Sequence, residues 1–551
     1  MKARYPMALA MLVVCGSMVA QNTVGLLTND VESSQDGYTM FYPADQHTVY
    51  LIDNCGRLVH TWTDTLHTPS NAVYLLDNGD LLRCGKRPGP INPIMQRGGA
   101  GDMVDRWSWS GELLWRYTYN TQTVRMHHDV EPMPNGNVLI IAWEYKTLEE
   151  AAAAGMDTSA VELDSVWPDH LIEVSPEGAE GGTIVWEWHA WDHLVQDHDP
   201  ELPGFGVVSE HPERIDVNYH PLQDEDWMHI NSVDYNAELD QILLSVPFFN
   251  EVWVIDHSTT TEEAATSSGG NSGRGGDLLY RWGNPMAYGR GDGTDQTLFF
   301  QHDAKWLGPG LADNDADQGK MIVFNNRVGT LHSAVDVFAP PVDANGNYTL
   351  DAGQAFGPAT YDWRYTAPVL EDLFSSGLSS ADKLPNGNFF ICSGRQGWAF
   401  EVDAAGEIVW EYVIPLFQGE PIVQGTEMVG AATFRATKYP ADHPFLSQQE
   451  LTTNTYIELE PDTLFCGSIS LAVGRSTNSG SGVHIYPNPA RNLVHVSGLD
   501  PARAELLDAT GKVVRQFPSN GTGTIDVTGL AAGLYVLRIG GEGSALLMVE
   551  E

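Results

Sequence analysis

Short apolar strands separated by tight turns recur along most of this chain. Asn-Gly or Asp-Gly steps stand between alternating apolar runs, as in NAVYLLDNGDLL (71–82), HDVEPMPNGNVLII (128–141) and SADKLPNGNFFICSG (380–394). Such steps favour the two-residue turns that join antiparallel strands into hairpins. Two further segments, 231–246 and 302–324, follow the same order of polar start, turn and apolar strand. The pattern predicts an all-β chain built from repeated hairpins.

A second repeated segment leads from an Asp- or Gly-containing turn into a strand rich in aromatic residues. Its six copies are DNCGRLVHTW (53–62), SWSGELLWRY (108–117), EGGTIVWEW (180–188), GDLLYRWG (276–283), ATYDWRY (359–365) and DAAGEIVWEY (403–412). Each pair of hairpins forms one four-stranded unit, and radial repetition of such units is typical of β-propellers. Six copies therefore predict a six-bladed β-propeller over about residues 38–460.

The two ends of the repeat array are offset, which indicates how the ring closes. The first aromatic copy precedes every inner hairpin, whereas the sixth inner segment, GTEMVGAATFRATKY (425–439), stands at the opposite end. We therefore predict that strands from both ends share one blade, with segment 50–62 paired to segment 425–439. Closing the ring in this way removes exposed strand edges.

The segments outside the repeats predict export and a second small domain. Lys2 and Arg4 precede an apolar stretch and a small residue at Ala20, which is typical of a signal peptide over residues 1–20. Residues 467–482 form a Ser/Gly linker. Beyond it, residues 483–551 contain short alternating strands separated by Gly-containing turns, which predict a small C-terminal β-sandwich.

The charges are strongly unbalanced, with 29 Lys and Arg against 73 Asp and Glu and a formal net charge of -44. Nucleic acids and anionic membranes bind to basic surfaces, so the sequence predicts neither partner. An anionic substrate is repelled by the protein as a whole, and a site for it must gather His, Arg or Lys locally. After the N-terminal segment no run approaches the ~18 apolar residues that span a bilayer, so no transmembrane segment is predicted.

Four cysteines remain after removal of the signal peptide: Cys55, Cys84, Cys392 and Cys466. Export permits disulfides, and four cysteines allow two bridges in three connectivities. No pair has CxxC spacing, which disfavours a zinc or thioredoxin-like site. Paired or simply buried cysteines are both compatible with the sequence.

The inner strands of a propeller begin beside its central channel, so residues at equivalent strand starts converge there. Aligned on their turns, the inner segments place five residues at this position: Asn71, His128, Asn231, His302 and Ser379. His229 lies two residues earlier in its own segment. Three imidazoles from three blades point to a base, an acid, a nucleophile or metal ligands.

Two details of this histidine set remain open. Strand alternation predicts that His127 points away if His128 faces the channel. Zinc held by His128, His229 and His302 is an alternative because three imidazoles suffice as protein ligands. Our prediction is a site with no metal and no cofactor.

Several segments resemble the aryl-sulfate sulfotransferases, and they occur in that family's order along the chain. They are DWMHINSVDY (226–235), YRWGNP (280–285), FFQHDAKWL (299–307), FNNRVGTLHSAV (324–335), LPNGNFFICSG (384–394) and FRATKYPADHPF (434–445). The resemblance implies a six-bladed propeller that moves sulfate from a phenolic sulfate ester to another phenol without a nucleotide sulfate donor. It also implies that His229, His302 and Arg327 flank a nucleophilic histidine.

The family's nucleophilic histidine has no counterpart, because no His occurs between His332 and His443 and its position is taken by Ser379. Three alternatives follow: His128 is the nucleophile, the transfer is direct, or the activity is lost. We place His128, His229, His302 and Arg327 in the catalytic set. The residues expected to bind substrate are Arg395, Asn231 and Ser379.

Two other functions compete with this interpretation. A non-catalytic extracellular propeller that binds an anionic aromatic or polysaccharide is favoured by the missing histidine. A quinone-dependent dehydrogenase is disfavoured, since those propellers typically have eight blades and a metal site rich in Glu and Asn.

The C-terminal segment resembles the type A sorting domain of the type IX secretion system. The resemblance rests on YPNPA (486–490), LLDATGKVV (506–514) and GLAAGLYVLRI (529–539). It implies the type IX secretion machinery as a partner and passage through the periplasm. We therefore expect a protein that is secreted or held at the cell surface.

Overall fold

The computed structural model describes most of the chain between residues 22 and 468 and the strands of the C-terminal part. The described ranges are 22–44, 46–89, 94–308, 310–312, 314–426, 431–451, 453–468, 484–486, 493–497, 503–507, 512–518, 524–531, 533–539 and 543–549. The predicted signal peptide, and all but the first two residues of the predicted linker, lie outside these ranges. The chain divides into two compact units, Met1–Ser470 and Leu471–Glu551.

Strands make up nearly all regular structure of the first unit. The first eight are β1 Gly25–Asn29, β2 Gly37–Pro43, β3 Thr48–Asp53, β4 Leu58–Thr63, β5 Thr68–Leu75, β6 Leu81–Lys86, β7 Met103–Trp107 and β8 Leu113–Thr118. The next eight are β9 Val124–Pro132, β10 Val138–Glu144, β11 Lys146–Thr147, β12 Ser165–Val166, β13 Asp169–Pro176, β14 Gly182–His189, β15 Leu194–Val195 and β16 Ile215–Asp216.

The second half of this unit continues in the same way. Its strands are β17 Ser232–Asn236, β18 Gln241–Val246, β19 Glu251–Asp256, β20 Tyr280–Trp282, β21 His302–Trp306, β22 Met321–Gly329, β23 His332–Phe338, β24 Trp363–Tyr365, β25 Ser380–Lys383, β26 Phe389–Ser393, β27 Trp398–Val402, β28 Ile408–Val413, β29 Leu416–Phe417, β30 Glu420–Pro421 and β31 Thr433–Pro440. The α-helices are α1 Leu148–Ala153, α2 Thr261–Ala264 and α3 Phe465–Ser468. The 3-10 turns are Ala190–His193, Val208–Glu210, Pro285–Tyr288, Leu370–Asp372, Gly394–Gln396 and Leu446–Gln448.

Six antiparallel sheets follow one another around a ring, which confirms the predicted six-bladed propeller. The blades, inner strand first, are β31-β2-β3-β4, β5-β6-β7-β8, β9-β10-β13-β14, β17-β18-β19-β20, β21-β22-β23-β24 and β25-β26-β27-β28. We number them blades 1 to 6. Each innermost strand contacts the innermost strands of the two neighbouring blades, and β31 contacts both β5 and β25. The ring is thereby closed.

The closing blade differs in one detail from the predicted pairing. Strand β31 pairs with β2, from Gly37 with Pro440 to Pro43 with Thr433, whereas β3 pairs with β2 and β4 and not with β31. Segment 50–62 therefore shares a sheet with the C-terminal strand without pairing to it. Strand β2 (GYTMFYP) was missed because it precedes the first aromatic repeat and resembles none of the other segments. Strand β1 was also missed; it pairs with β28 as a fifth strand of blade 6.

A contact between neighbouring blades explains why an aromatic residue recurs in these repeats. Each of the six ends in the fourth strand of its blade, and in five of them an indole N–H donates to a backbone carbonyl in the turn before the fourth strand of the next blade. These bonds are Trp62 to Ser108 (3.1 Å), Trp115 to Gly181 (2.7 Å), Trp188 to Gly276 (2.8 Å), Trp282 to Pro358 (2.7 Å) and Trp410 to Asn54 (2.9 Å). The last bond joins blade 6 to blade 1, so the repeat also seals the ring at its circumference.

One buried cation joins five blades at the axis of the ring. Arg435 on β31 lies 2.6 Å from Asp129 of blade 3 and 2.8 Å from Asp303 of blade 5. It also donates to the hydroxyl of Tyr74 in blade 2 and to the backbone carbonyl of Asn231 at the start of blade 4. Both carboxylates are fully buried. Arg435 therefore neutralises charge that has no access to water.

Replacing Arg435 with methionine is expected to lower the free energy of unfolding by about 3–5 kcal/mol, because it leaves the buried Asp129 carboxylate without a cation and leaves Asp303 paired with Lys305 alone. Chemical denaturation measures the change. Arg57→Met is the control, since Arg57 pairs with Asp53 at the surface, where ion pairs contribute about 0–1 kcal/mol. Equal losses in the two variants would contradict this role of Arg435.

One of the two permitted disulfides is present. Cys55, in the turn between β3 and β4, is bonded to Cys466 in α3, across a sequence separation of 411 residues. Cys84 and Cys392 are unpaired and buried, and burial raises the pKa of both thiols. The bridge fastens the end of the first unit to its closing blade.

The second unit is a small two-sheet domain, as predicted. Its strands are β32 His484–Tyr486, β33 Leu493–Ser497, β34 Arg503–Leu507, β35 Val513–Pro518, β36 Thr524–Asp526, β37 Gly533–Ile539 and β38 Gly543–Val549. The sheets are β32-β33-β36 and β35-β34-β37-β38. Val494 and Ile525 of the first sheet share a core with Leu506, Leu537 and Leu547 of the second, which is the packing of a sandwich.

Candidate active site

Residues with strained backbone lie just before or in the first five residues of the inner strands. Non-glycine residues with positive φ occur there in five blades: Asn71 (143°), His128 (51°), His229 (57°), Asp303 (58°) and Ser379 (96°). Such conformations cost about 1–3 kcal/mol each and cluster where function requires a particular geometry. The predicted histidines lie at this same end of the channel.

His128 lies in a bulge of β9, where the pairing with β10 shifts between Ile140 and Ala142. Its backbone N–H donates to the carbonyl of Gly99 at 2.8 Å. Only glycine fits at position 99, because φ is +82° and a Cβ would lie 2.1 Å from Cε1 of His128. The imidazole is thereby held against a turn, with 3% of the residue exposed.

His127 does not point away from His128, contrary to the expectation from strand alternation. The left-handed conformation of His128 interrupts the alternation, and the two Nδ1 atoms lie 2.8 Å apart. Nε2 of His127 lies 2.6 Å from Oδ1 of Asp169 at the start of β13. His127 and Asp169 are both fully buried.

His229 stands beside His128, with 4.4 Å between their ring centroids. Its Nδ1 is hydrogen-bonded to Asp226, whose other oxygen accepts the indole N–H of Trp143 at 2.8 Å. The His229 ring also stacks on Phe248, with centroids 4.6 Å apart. Blade 4 therefore presents an oriented imidazole with a carboxylate behind it.

The two adjacent imidazoles have opposite protonation tendencies. Burial, and then the positive charge of His229, hold the pKa of His128 well below its usual value. Burial opposes the charged form of His229 as well, but the Asp226 carboxylate outweighs it and raises the pKa of His229. The geometry thus favours a neutral imidazole at His128 next to a cationic one at His229.

His302 is fixed at both ring nitrogens. Its Nδ1–H donates to Oδ1 of Asn326 at 2.9 Å, and its Nε2 accepts the backbone N–H of Leu378 at 3.0 Å. Burial lowers the pKa of His302 to about 3. The ring of Phe434 lies near two of the three imidazoles: its centroid is 6.0 Å from that of His128 and 6.4 Å from that of His302.

Two guanidinium groups flank His302 without a carboxylate partner in the described part of the chain. Arg327 donates from Nε to the carbonyl of Ser376 at 2.9 Å and lies 4.0 Å above the ring of Phe300. A Cβ placed on Gly377 would be 3.8 Å both from Nη2 of Arg395 and from Cε1 of His302. Burial and the charge of Arg395 both lower the pKa of Arg327. Two neighbouring arginines without a described carboxylate partner are the local concentration of cations that an anion-binding site in an acidic protein requires.

The two remaining predicted site residues, Asn231 and Ser379, are buried. Asn231 is fully buried, and its amide donates to the carbonyl of Gln301 at 2.9 Å. Ser379 is fully buried as well, and its hydroxyl accepts the N–H of Gly394 at 2.9 Å. Both residues make contacts that join neighbouring strands.

Sequence reasoning missed the groups that orient the histidines: Asp169, Asp226, Asn326 and the Phe434 ring. Asp226 and Asn326 stand in the family-like segments DWMHINSVDY and FNNRVGTLHSAV, so their position next to predicted site residues was a usable signal. Asp169 carried no signal, because it comes from a strand distant in sequence from His127. Within the described residues, no group of three or more His, Cys, Asp and Glu side chains is arranged to hold a metal ion.

Comparison with known proteins identifies both parts of the chain. The family model for arylsulfotransferase (ASST) matches residues 27–412, and the model for the secretion system C-terminal sorting domain matches residues 484–547. No curated protein matches the sequence. None of the described helices has both the length and the apolar character needed to cross a bilayer.

Solved structures that are similar to this chain show only a distant likeness. A protein of unknown function from Bacteroides caccae is 12% identical with a TM-score of 0.39, over 74% of this chain and 99% of that one. Virginiamycin B lyase from Staphylococcus aureus is 9% identical with a TM-score of 0.31, over 72% and 92%. AztD from Citrobacter koseri is 8% identical with a TM-score of 0.31, over 74% and 99%. At such values the likeness says nothing about chemistry.

The match over residues 27–412 covers well over half of the chain and contains most of the blade strands and the channel histidines, although β31 lies beyond it. The sorting domain at the C-terminus places the protein outside the cell or at its surface. By the extent of this match, the chain belongs to the arylsulfotransferase family.

Proposed function

We propose that this protein transfers a sulfo group from a phenolic sulfate ester to a phenolic acceptor, without a nucleotide sulfate donor. One observation carries the proposal: the imidazoles of His128 and His229 are in contact, and those of His128 and His302 both approach the ring of Phe434. Two guanidinium groups that no described carboxylate neutralises lie close together near His302. Sulfuryl transfer builds negative charge on the sulfo oxygens and on the leaving phenolate. Fixed cations and donors at that place are the main means of lowering such a barrier.

His128 is the nucleophile in this proposal. Its Nε2 makes no hydrogen bond to the described residues, and its low pKa keeps the ring neutral, so that one nitrogen carries a lone pair. The Nε2 lone pair attacks sulfur while the bond from sulfur to the phenolic oxygen breaks. The sulfo group is then carried covalently on the imidazole.

His229 supplies and recovers the proton. In its cationic form it gives a proton to the leaving phenolate, and in the second step it takes one from the incoming phenol as the sulfo group leaves His128. Asp226 stabilises the cationic form and orients the ring, so both steps use one imidazole. The enzyme returns to its starting protonation state after each cycle.

Arg327 and Arg395 hold the sulfo oxygens, whereas His302 has both ring nitrogens hydrogen-bonded and positions the Leu378 backbone. The two guanidinium groups offer planar pairs of donors, which suit an oxyanion better than an ammonium does. Asn326 keeps His302 in a fixed orientation. We assign supporting roles to Asn231 and Ser379, because both are fully buried and committed to contacts between strands.

The proposal is tested by turnover of 4-nitrophenyl sulfate with phenol as acceptor. Release of 4-nitrophenolate together with formation of phenyl sulfate supports transfer. Intact-protein mass spectrometry after a short reaction should reveal an added sulfo group, and peptide mapping should place it on His128. Hydrolysis without transfer, or an adduct at another residue, contradicts the proposed mechanism.

A non-catalytic binding protein is the second candidate. Its support is Ser379, which occupies the position where the resemblance implies a nucleophilic histidine. This function predicts that aryl sulfates bind, and that no aryl sulfate is turned over. Calorimetric titration of 4-nitrophenyl sulfate beside the turnover assay separates the two candidates.

The rate is expected to fall on the alkaline side of the pH profile. Because Asp226 raises the pKa of His229, the cationic acid persists above the pH at which a free imidazole loses its proton, and kcat declines as pH rises through that raised pKa. The low pKa of His128 keeps its ring neutral well into acid. Asp226→Asn should move the alkaline limb to lower pH, whereas Asp240→Asn, at the remote His257, should leave it in place. An alkaline limb that stays put in Asp226→Asn would rule out His229 as this acid.

A further inference from the structure

A continuous chain of hydrogen bonds leads from a buried carboxylate to the proposed nucleophile. Oδ1 of Asp169 lies 2.6 Å from Nε2 of His127, and Nδ1 of His127 lies 2.8 Å from Nδ1 of His128. Asp169 and His127 have no exposed surface, and His128 is 3% exposed. Water therefore has little access to these hydrogen bonds.

The packing around this relay of three side chains fixes each member. The second oxygen of Asp169 accepts the backbone N–H of Ile230 at 3.0 Å. The ring of His127 stacks on Trp143, with centroids 4.0 Å apart and planes 11° from parallel. Trp143 is anchored in turn by its indole N–H to Asp226. The His127 ring is therefore held in one orientation by contacts on its face and at both nitrogens.

Contact between two Nδ1 atoms determines which nitrogen carries each proton. One of the two must donate and the other must accept. When the Asp169 carboxylate accepts the Nε2–H of His127, Nδ1 of His127 has no proton and accepts the Nδ1–H of His128. The lone pair of His128 is then at Nε2, the nitrogen with no hydrogen-bond partner among the described residues.

We propose that Asp169 and His127 are positioning residues that set the tautomer of His128 and so expose its Nε2 lone pair for attack. The inference rests on the proposed function in one respect, the use of His128 as nucleophile. It explains how a family member without the usual late histidine makes a nucleophile in blade 3. The carboxylate acts through an intervening imidazole rather than on the nucleophile itself.

Asp169→Asn is the decisive variant because it changes the direction of the relay without changing its shape. The asparagine oxygen accepts the Ile230 N–H, which turns the amide NH2 towards His127. Nε2 of His127 must then accept, its proton moves to Nδ1, and Nδ1 of His128 becomes the acceptor. The proton of His128 is thereby placed on Nε2, and the nucleophilic lone pair is lost.

Reactivity of His128 towards diethyl pyrocarbonate tests the tautomer without any sulfo transfer. The reagent acylates an imidazole nitrogen that carries a lone pair, with release of ethanol and carbon dioxide, and peptide mass spectrometry locates the product. We expect His128 to be labelled roughly ten times or more slower in Asp169→Asn, in line with other residues that orient a reacting imidazole.

The same measurement tests the charge on Asp169. Burial, and then the Asp226 carboxylate, raise the pKa of Asp169, whereas the Ile230 N–H lowers it. A protonated Asp169 would already donate to His127, and the substitution would then change nothing. An unchanged labelling rate therefore overturns the relay.

Turnover gives the second readout. Asp169→Asn should lower kcat by roughly 10²–10⁴, as expected for a wrong imidazole tautomer, with KM nearly unchanged because Asp169 does not reach the substrate. Asp277→Asn is the matched control: Asp277 pairs with the buried His193 at 2.8 Å, between the outer edges of blades 3 and 4. The control should keep both kcat and the labelling rate. A rise in KM with kcat preserved would contradict a positioning role.

Rescue by 1-methylimidazole separates positioning from simple support of the fold. His128→Gly suits the backbone, since φ is 51° there, and an added imidazole can enter the vacated space. In 1-methylimidazole the methyl group replaces the N–H proton and leaves one nitrogen with a lone pair, so the relay cannot change its tautomer. Its rescued rate should therefore be the same with and without the Asp169→Asn substitution. If Asp169→Asn lowers the rescued rate by the same factor as it lowers kcat in the enzyme with His128, Asp169 acts by supporting the fold, and the relay is overturned. If the wild type turns over no aryl sulfate while labelling still depends on Asp169, the proposed function fails and the relay stands.

Discussion

Turnover of aryl sulfates should disappear when His128 is replaced with alanine, with a loss of more than about 10⁴ in kcat. The substitution removes the neutral imidazole whose Nε2 is open to attack, and neither neighbour can replace it. His229 is held cationic by Asp226 and is committed to proton transfer, while Nε2 of His302 is occupied by the N–H of Leu378. The variant should also form no covalent sulfo adduct after exposure to 4-nitrophenyl sulfate.

The matched control for this experiment is His60→Ala. His60 lies on β4, the outermost strand of blade 1, and stacks on Trp109 at 4.0 Å. It should keep wild-type kcat and the adduct on His128. Retained turnover in His128→Ala, or an adduct that maps to Ser379, would show that the sulfo group follows another route.

Deletion of residues 483–551 should abolish delivery to the cell surface or medium and leave the propeller in the periplasm. The deleted segment is the part of the chain that the sorting-domain model matches, and it forms a compact unit with its own core. The propeller keeps its closing blade and the Cys55–Cys466 bridge, so it should remain folded. Fractionation and immunoblotting of cells and medium measure the distribution.

The full-length His128→Ala chain serves as control for export, since it removes activity and leaves the sorting domain intact. It should reach the surface or medium at wild-type levels. The truncated propeller retained in the periplasm should unfold at the same temperature as the propeller unit of the full-length chain. Normal amounts of the truncated chain outside the cell would show that the C-terminal domain is dispensable for export.

The repeats predicted the propeller because each blade makes the same local demands on its sequence. Asn-Gly and Asp-Gly turns fix the hairpins, and an aromatic strand recurs wherever an indole must reach the next blade, as at Trp115 and Trp410. Strand β2 escaped prediction because its role is unique. It is the place where the two ends of the propeller pair, so no repeat exists to reveal it.

The disulfide pairing, like the strand pairing, was only partly predictable from the sequence. Their number and compartment allowed two bridges, but only distance decides which thiols can meet. Cys55 and Cys466 come together because the end of the first unit returns to the closing blade, with 5.4 Å between their Cα atoms. Cys84 and Cys392 lie in second strands of different blades and remain apart.

For the site, the sequence predicts that His128, His229 and His302 lie near one another, because strand starts in a propeller converge on one channel, and the rings of His128 and His229 are in contact. It also predicts a local group of cations for an anionic substrate, and Arg327 and Arg395 lie close together near His302. Which side chains touch depends on the tertiary structure. The left-handed turn at His128 brings two successive histidines into contact, and packing between strands sets Asp169 behind them. Hydrogen bonds of this kind depend on angles and distances of fractions of an ångström, and no pattern along a single chain records them.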